Sequence, residues 1–225
     1  MPNTVDSLYD QLNASGTVAK QRFVETFSGD ALDTDRWSTH STGSGTEQFV
    51  MGDEVNGGLK IVSRPNGAST IDFSPTDATK KRPFSQTGSV MILTSKLTQA
   101  QYAINYSGLR TNHYSEAGKY INVHFQGVTN GNSGDNKCRL TTNVGGNVDT
   151  SLASSELYNW HTSKIEINGS GASLSIDGVL SGNGFATITG NADSNLHPAL
   201  VSSSSEGSVS GGAVSYFGYL EVYNT

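Results

Sequence analysis

Asn122, His124 and Gln126 alternate along the segment YINVHFQ, with Ile121, Val123 and Phe125 between them. In an extended strand successive side chains point to opposite faces, so this spacing predicts a polar row of amide, imidazole and amide backed by an apolar one. Planar amides, an imidazole and phenolic hydroxyls are the groups that hold sugars. Tyr102, Tyr106, Arg110 and Lys164 would also lie on sheet faces, which makes the set a candidate carbohydrate-binding face, against the plainer reading of a solvated outer sheet face. His124 could also serve as a general base, against the plainer reading of a hydrogen-bonded strand histidine.

Two further groups could do chemistry. Asp30, Asp33 and Asp35 place three hard oxygen donors within six residues, a candidate calcium site without the distal Glu of an EF-hand. The plainer reading is a turn whose aspartates bond the backbone. The basic triplet Lys80, Lys81 and Arg82 reads as an exposed loop that could meet an acidic partner. Cys138 is the single cysteine, so no internal disulfide forms, and no Cys/His cluster suggests zinc. No cofactor is expected beyond that possible structural calcium.

The elements that must position these groups are short strands. Beyond residue 22 the apolar period is two. About twelve strands are predicted, divided by Gly, Asn, Ser and Asp, over Gln48–Met51, Leu59–Ser63, Ser69–Phe73, Ser89–Ser95, Tyr102–Leu109, Tyr120–Gln126, Lys137–Thr142, His161–Ile167, Ala172–Asp177, Leu196–Val201 and Val214–Tyr223, after a first one opened by Phe23, Val24 and Phe27. Helices do not alternate with them, so the expected fold is all-β, an antiparallel two-sheet jelly-roll sandwich over residues 23–225. Asp177-Gly178 reads as a tight hairpin turn. Residues 202–212, SSSSEGSVSGG, read as a loop. Trp37, Trp160, Ile165, Ile167, Ile176, Phe217 and Val222 are the expected core.

Residues 1–22 read differently. Val5, Leu8, Tyr9 and Leu12 lie at i, i+3, i+4 and i+7, which predicts a short helical arm with one apolar stripe. The ASGTVAK connector behind it suggests an assembly arm that docks on a neighbouring subunit, against the plainer reading of a helix packed on its own domain. The first residues lack the basic and apolar regions of a secretory signal.

Composition narrows the function. Ser, Thr, Asn and Gly make 97 of 225 residues, charged residues are 15%, and the net charge is -6. An acidic chain poor in Lys and Arg has no footprint for nucleic acid. No apolar run is long enough to span a membrane as a helix.

Three stretches carry a resemblance: ETFSGDALDTDRWS (25–38), with its F-x-x-x-x-L-D-x-x-x-W pattern; NWHTSKIEINGSGASLSIDGVL (159–180), a W-H hairpin strand followed by one ending in Asp-Gly; and the closing YFGYLEVYNT (216–225). Together they resemble the concanavalin A-like lectin and glucanase superfamily, which holds lectins, laminin-G-like modules, glucanases, polysaccharide lyases and virion surface proteins. The resemblance implies the jelly roll and leaves the function open. Glucanases of this fold carry E-x-D-x-x-E on one strand, because nucleophile and acid must share a face, and no such run occurs. Lyases carry Q-x-H with Arg and Tyr, whereas here His124 precedes Gln126 and no Y-x-K-x-G-x-Y-x-Q strand follows. With both enzymatic patterns missing, the sequence is read as a non-catalytic, lectin-like display or decoration protein on a virus particle surface, a homo-oligomer meeting other virion subunits and surface glycans. The alternative is an extracellular carbohydrate-binding module or a glycan-active hydrolase or lyase.

Overall fold

The computed structural model describes residues 22–52, 58–64, 67–73, 84, 88–97, 103–110, 120–126, 137–142, 148–150, 158–168, 171–180, 186–187, 196–204 and 212–225. The proposed arm, with Val5, Leu8, Tyr9 and Leu12, lies outside the described residues, as do Tyr102 and Lys80–Arg82.

Among the described residues the strands are β1 (Arg22–Glu25), β2 (Trp37–Ser41), β3 (Gln48–Met51), β4 (Leu59–Val62), β5 (Ala68–Phe73), β6 (Ser89–Leu97), β7 (Ala103–Arg110), β8 (Tyr120–Gln126), β9 (Lys137–Thr142), β10 (Val148–Thr150), β11 (His161–Ile167), β12 (Gly171–Ile176), β13 (Val179–Leu180), β14 (Ala186–Thr187), β15 (His197–Ser204) and β16 (Val214–Asn224). They form two antiparallel sheets. One runs β13-β12-β11-β6-β16-β4-β3, with β1 against β16 and β14 against β12; the other runs β10-β9-β8-β7-β15-β5-β2. The all-β jelly-roll sandwich expected from the alternation is the observed fold.

Period-two patterning fixes which face is inside. In β11 Ile165 and Ile167 are buried while Thr162 and Glu166 are exposed, and Leu174, Ile176, Leu220 and Val222 repeat the alternation in β12 and β16. The facing sheet contributes Trp37, Ile71, Phe73, Leu109, Leu140 and Leu200 to the same cluster. At about 25 cal/mol per Å² of apolar surface removed from water, this shared core is the main driving force for closing the two sheets on each other.

The opening motif has a plain physical reading. Phe23, Phe27, Trp37 and Phe73 pack as one aromatic cluster, with Phe23 and Phe73 centroids 4.3 Å apart. Asp33 caps the turn before β2: its carbonyl accepts from Arg36 N and Trp37 N, and its Oδ1 accepts from Asp35 N at 3.0 Å. Glu25 accepts from the Trp37 indole at 3.2 Å and pairs with Arg36 at 3.3 Å. The acidic run 30–35 therefore builds a turn. Among the described residues no three His, Cys, Asp or Glu side chains are arranged to hold a metal ion.

Three expectations need correcting. Trp160 is not core: it is 37% exposed, because it precedes β11 and stands on the outer surface of the sheet. Residues 202–204 are not loop. They finish β15 and are buried, since Ser202 Oγ donates to the Ala213 carbonyl and Ser215 Oγ donates to Ser202 Oγ, which satisfies hydroxyls a loop would leave to water. The short strand β2 was hidden by its polar sequence WSTHS. The Asp177-Gly178 turn is as expected, with φ of 51° and 81°, the left-handed pair that a two-residue hairpin requires.

Candidate active site

The inner face of the seven-stranded sheet is set by Trp37, Ile71, Leu109, Ile121 and Leu140, so the alternate positions make up the other face. Registers align these positions into rows. One row reads Ser38, Asp72, Ala199, Gly108, Asn122 and Thr141 across β2, β5, β15, β7, β8 and β9. A second row holds His197, Arg110 and Tyr120. A third holds His40, Thr70 and Val201 at one end and Tyr106, His124 and Arg139 at the other. Small residues, Ala199 and Gly108, floor the middle. With about 4.8 Å between strands, the six strands span roughly 24 Å, room for a chain of several sugar rings.

The middle strands of this face are closed off from solvent. Every residue of β5 is buried, and all of β15 except His197 is buried as well. Asp72 is fully buried there, a charged residue in an otherwise neutral strand, and burying a carboxylate costs several kcal/mol unless something compensates. Its compensation includes His197, whose Nε2 lies 3.8 Å from Asp72 Oδ1, at ion-pair rather than hydrogen-bond distance. The His197 side chain keeps 20% of its surface open. Arg110 is the register partner of His197 and is itself nearly buried. Nearby, His40 Nε2 and Thr70 Oγ1 are buried polar atoms that make no hydrogen bond within the described structure.

Of the residues expected to bind sugar, Asn122, His124 and Gln126 take alternate positions of β8 on this face, His124 stands in register with Tyr106, and Arg110 ends β7. Lys164 does not join them. It lies on β11 in the other sheet, where its ammonium pairs with Glu166 at 2.8 Å. Sequence reasoning missed His40, Asp72, Arg139 and His197. The signal for Asp72 was its charge at an alternate position of STIDF, and for His197 its place two residues before Ala199 on the same face.

Chemically, the described side chains of these strands supply an imidazole beside a buried carboxylate, an arginine across from it, and a second arginine farther along. Asp72 is the only carboxylate among the described side chains of this face, and Asp149 of β10 takes the register position beside Arg139 on the same face.

No protein-family model matches the chain, and no curated protein matches it. Solved structures do. One of them, "Prominent members of the human gut microbiota express endo-acting O-glycanases to initiate mucin breakdown", superposes with a TM-score of 0.60 at 13% identity, over 90% of this chain and 98% of that one. The alginate lyase AlgAT5 of polysaccharide lyase family 7 gives 0.57 at 14% identity, over 86% and 96%. The Crh5 transglycosylase gives 0.55 at 15% identity, over 91% and 85%. These similar structures are glycan-active enzymes. That overturns the expectation of a non-catalytic decoration protein on a virus particle, an expectation that leaned on two absent motifs. At this identity the likeness establishes architecture: the chain has the concanavalin A-like jelly-roll fold.

Proposed function

We propose that the protein is a glycan-active enzyme, a lyase that cleaves an acidic, uronate-containing polysaccharide by β-elimination across this face of the seven-stranded sheet. The observation that carries this reading is the grouping of His197, Asp72 and Arg110 on that face, where β15 begins and β7 ends. Arg110 lies beside this group and Arg139 farther along the same face, next to Asp149 in register, and the two guanidinium groups suit an acidic chain.

In this reading Arg110 pairs with the uronate carboxylate, a contact that guanidinium geometry favours. His197 takes the proton from the carbon next to that carboxylate, with Asp72 stabilising the imidazolium that forms. The electron pair of the broken C–H bond becomes the new C=C bond, the C–O bond to the leaving sugar breaks, and the leaving oxygen takes the proton back from His197. No water is consumed and no second carboxylate is needed. Likeness to alginate lyases supports the substrate class, and a polysaccharide substrate suits the extracellular alternative for where the protein works.

The test is incubation with alginate, pectate and hyaluronan alongside a neutral glucan, with products read by mass spectrometry and ultraviolet absorbance. Unsaturated products from an acidic polymer alone are expected. Saturated products that have gained water would replace this reading with hydrolysis.

A further inference from the structure

The other sheet carries a second feature on its outer surface. Lys60, Tyr216 and Lys96 are register partners across β4, β16 and β6. Because His161 pairs with Ser95, Trp160 stands at the next position beyond Lys96. The row therefore alternates cation, aromatic, cation, aromatic. Lys60 Nζ lies 5.8 Å from the Tyr216 ring, and Lys96 Nζ lies 4.7 Å from Tyr216 and 5.4 Å from the Trp160 ring.

The indole is held open rather than buried. It rests over Gly218, at the register shift between Phe217 and Tyr219, where an added Cβ would come within 3.4 Å of the ring. Glycine below and Lys96 beside it fix the ring while leaving it 37% exposed. An indole in that position adds nothing to the core, and large exposed aromatics held rigid at a surface are a mark of binding sites.

We propose that the row Lys60–Tyr216–Lys96–Trp160 is a second glycan-binding surface, on the sheet opposite the cleft, for acidic polysaccharide. The apolar C–H face of a pyranose ring packs on the indole, and the two ammonium groups meet carboxylates along the chain. This rests on the proposed function only for the chemistry of the ligand. A long polymer held here raises the local concentration of cleavable chain around the cleft.

The experiment is affinity electrophoresis of the full chain in gels containing sodium alginate or a neutral glucan, with Trp160→Ala and Lys96→Gln as variants. Both lie outside the cleft. Alginate is expected to retard the parent protein and the glucan not; Trp160→Ala is expected to weaken apparent affinity about fivefold, as loss of one stacked aromatic contact does. Lys96→Gln is expected to weaken it too, and added salt to erase the difference between Lys96→Gln and parent. Equal retardation of parent and Trp160→Ala, no retardation of the parent, or a parent dimer that Trp160→Ala disperses in light scattering would each overturn the proposal. Alginate binding that depends on Trp160, with no turnover of any acidic polymer, would leave this surface standing and remove the proposed lyase activity instead.

Discussion

Asp72 and His197 lie diagonally across β5 and β15, their side chains 3.8 Å apart, with the carboxylate fully buried and the imidazole partly open. A buried carboxylate beside a partly open imidazole is an arrangement that can orient the ring and stabilise it once it is charged, although Nε2 itself is buried against Asp72. Arg110 is the register partner of His197, and the proposed lyase reading assigns it to the carboxylate of the substrate.

Arg110→Ala should therefore act mainly on acidic substrates. Loss of a charge-assisted pair to a carboxylate is worth about 1.5–3 kcal/mol, so kcat/KM should fall roughly 10- to 150-fold. Initial rates on polymer and on short oligomers check this, and an unchanged kcat/KM would remove Arg110 from the site.

The two tryptophans should behave in opposite ways. Trp37 is fully buried among Phe23, Phe27 and Phe73, so Trp37→Ala should cost about 3–5 kcal/mol in urea unfolding. Trp160→Ala should cost about 1 kcal/mol or less, the scale of an exposed cation–π contact.

Asp177 ties the hairpin turn to the start of β11. Its Oδ1 accepts from Thr162 N at 2.8 Å, and its Oδ2 lies 2.7 Å from His161 Nδ1. Partial burial works to raise its pKa, but the Thr162 N–H and the His161 imidazole outweigh that and hold the carboxyl below its usual range. A lowered folded pKa means stability that is present above the ordinary carboxylate pKa and lost as the pH falls through the folded one. Asp177→Ala should therefore be less stable than the parent near neutral pH, modestly so for a half-exposed side chain, and the gap should close at strongly acid pH, once the folded carboxyl is protonated. Parallel urea titrations at the two pH values read it.

Cys138 should be chemically silent in the native protein. It is fully buried in the core, and desolvation, with a smaller push from Asp177, drives its thiol far above the usual range. A thiol reagent should label it only after denaturant is added; rapid labelling of the folded protein would contradict its placement.

The strands were legible in the sequence wherever one face alternated. YINVHFQ, KCRLTT and HTSKIEI have the bounds the period-two pattern gives them, because one apolar row had to be buried. Where both faces of a strand are covered, the pattern is lost. The serine-rich end of β15 is such a case, with hydroxyls that bond one another, as Ser215 and Ser202 do at 3.0 Å; β2 is half-open instead, with Thr39 exposed, and its polar sequence WSTHS hides it. The site was half legible for a related reason. Asn122, His124, Gln126 and Arg110 could be gathered from strands adjacent in sequence. His197 and Asp72 come from strands 125 residues apart, joined only by sheet order, and no local spacing announces that. Trp160 was misplaced because position beside a strand does not say which surface a ring takes.

The most direct test of the account follows the new double bond in the product. Wild-type protein and His197→Gln, first shown to melt alike, would be compared for the rate at which absorbance of unsaturated uronate appears in alginate and the other acidic polymers. Wild type should generate it, and His197→Gln should be slower by roughly 10²–10⁴, the contribution of a positioned proton-transfer group. A variant as fast as wild type, or a wild type that releases no unsaturated sugar from any acidic polymer, would contradict the account.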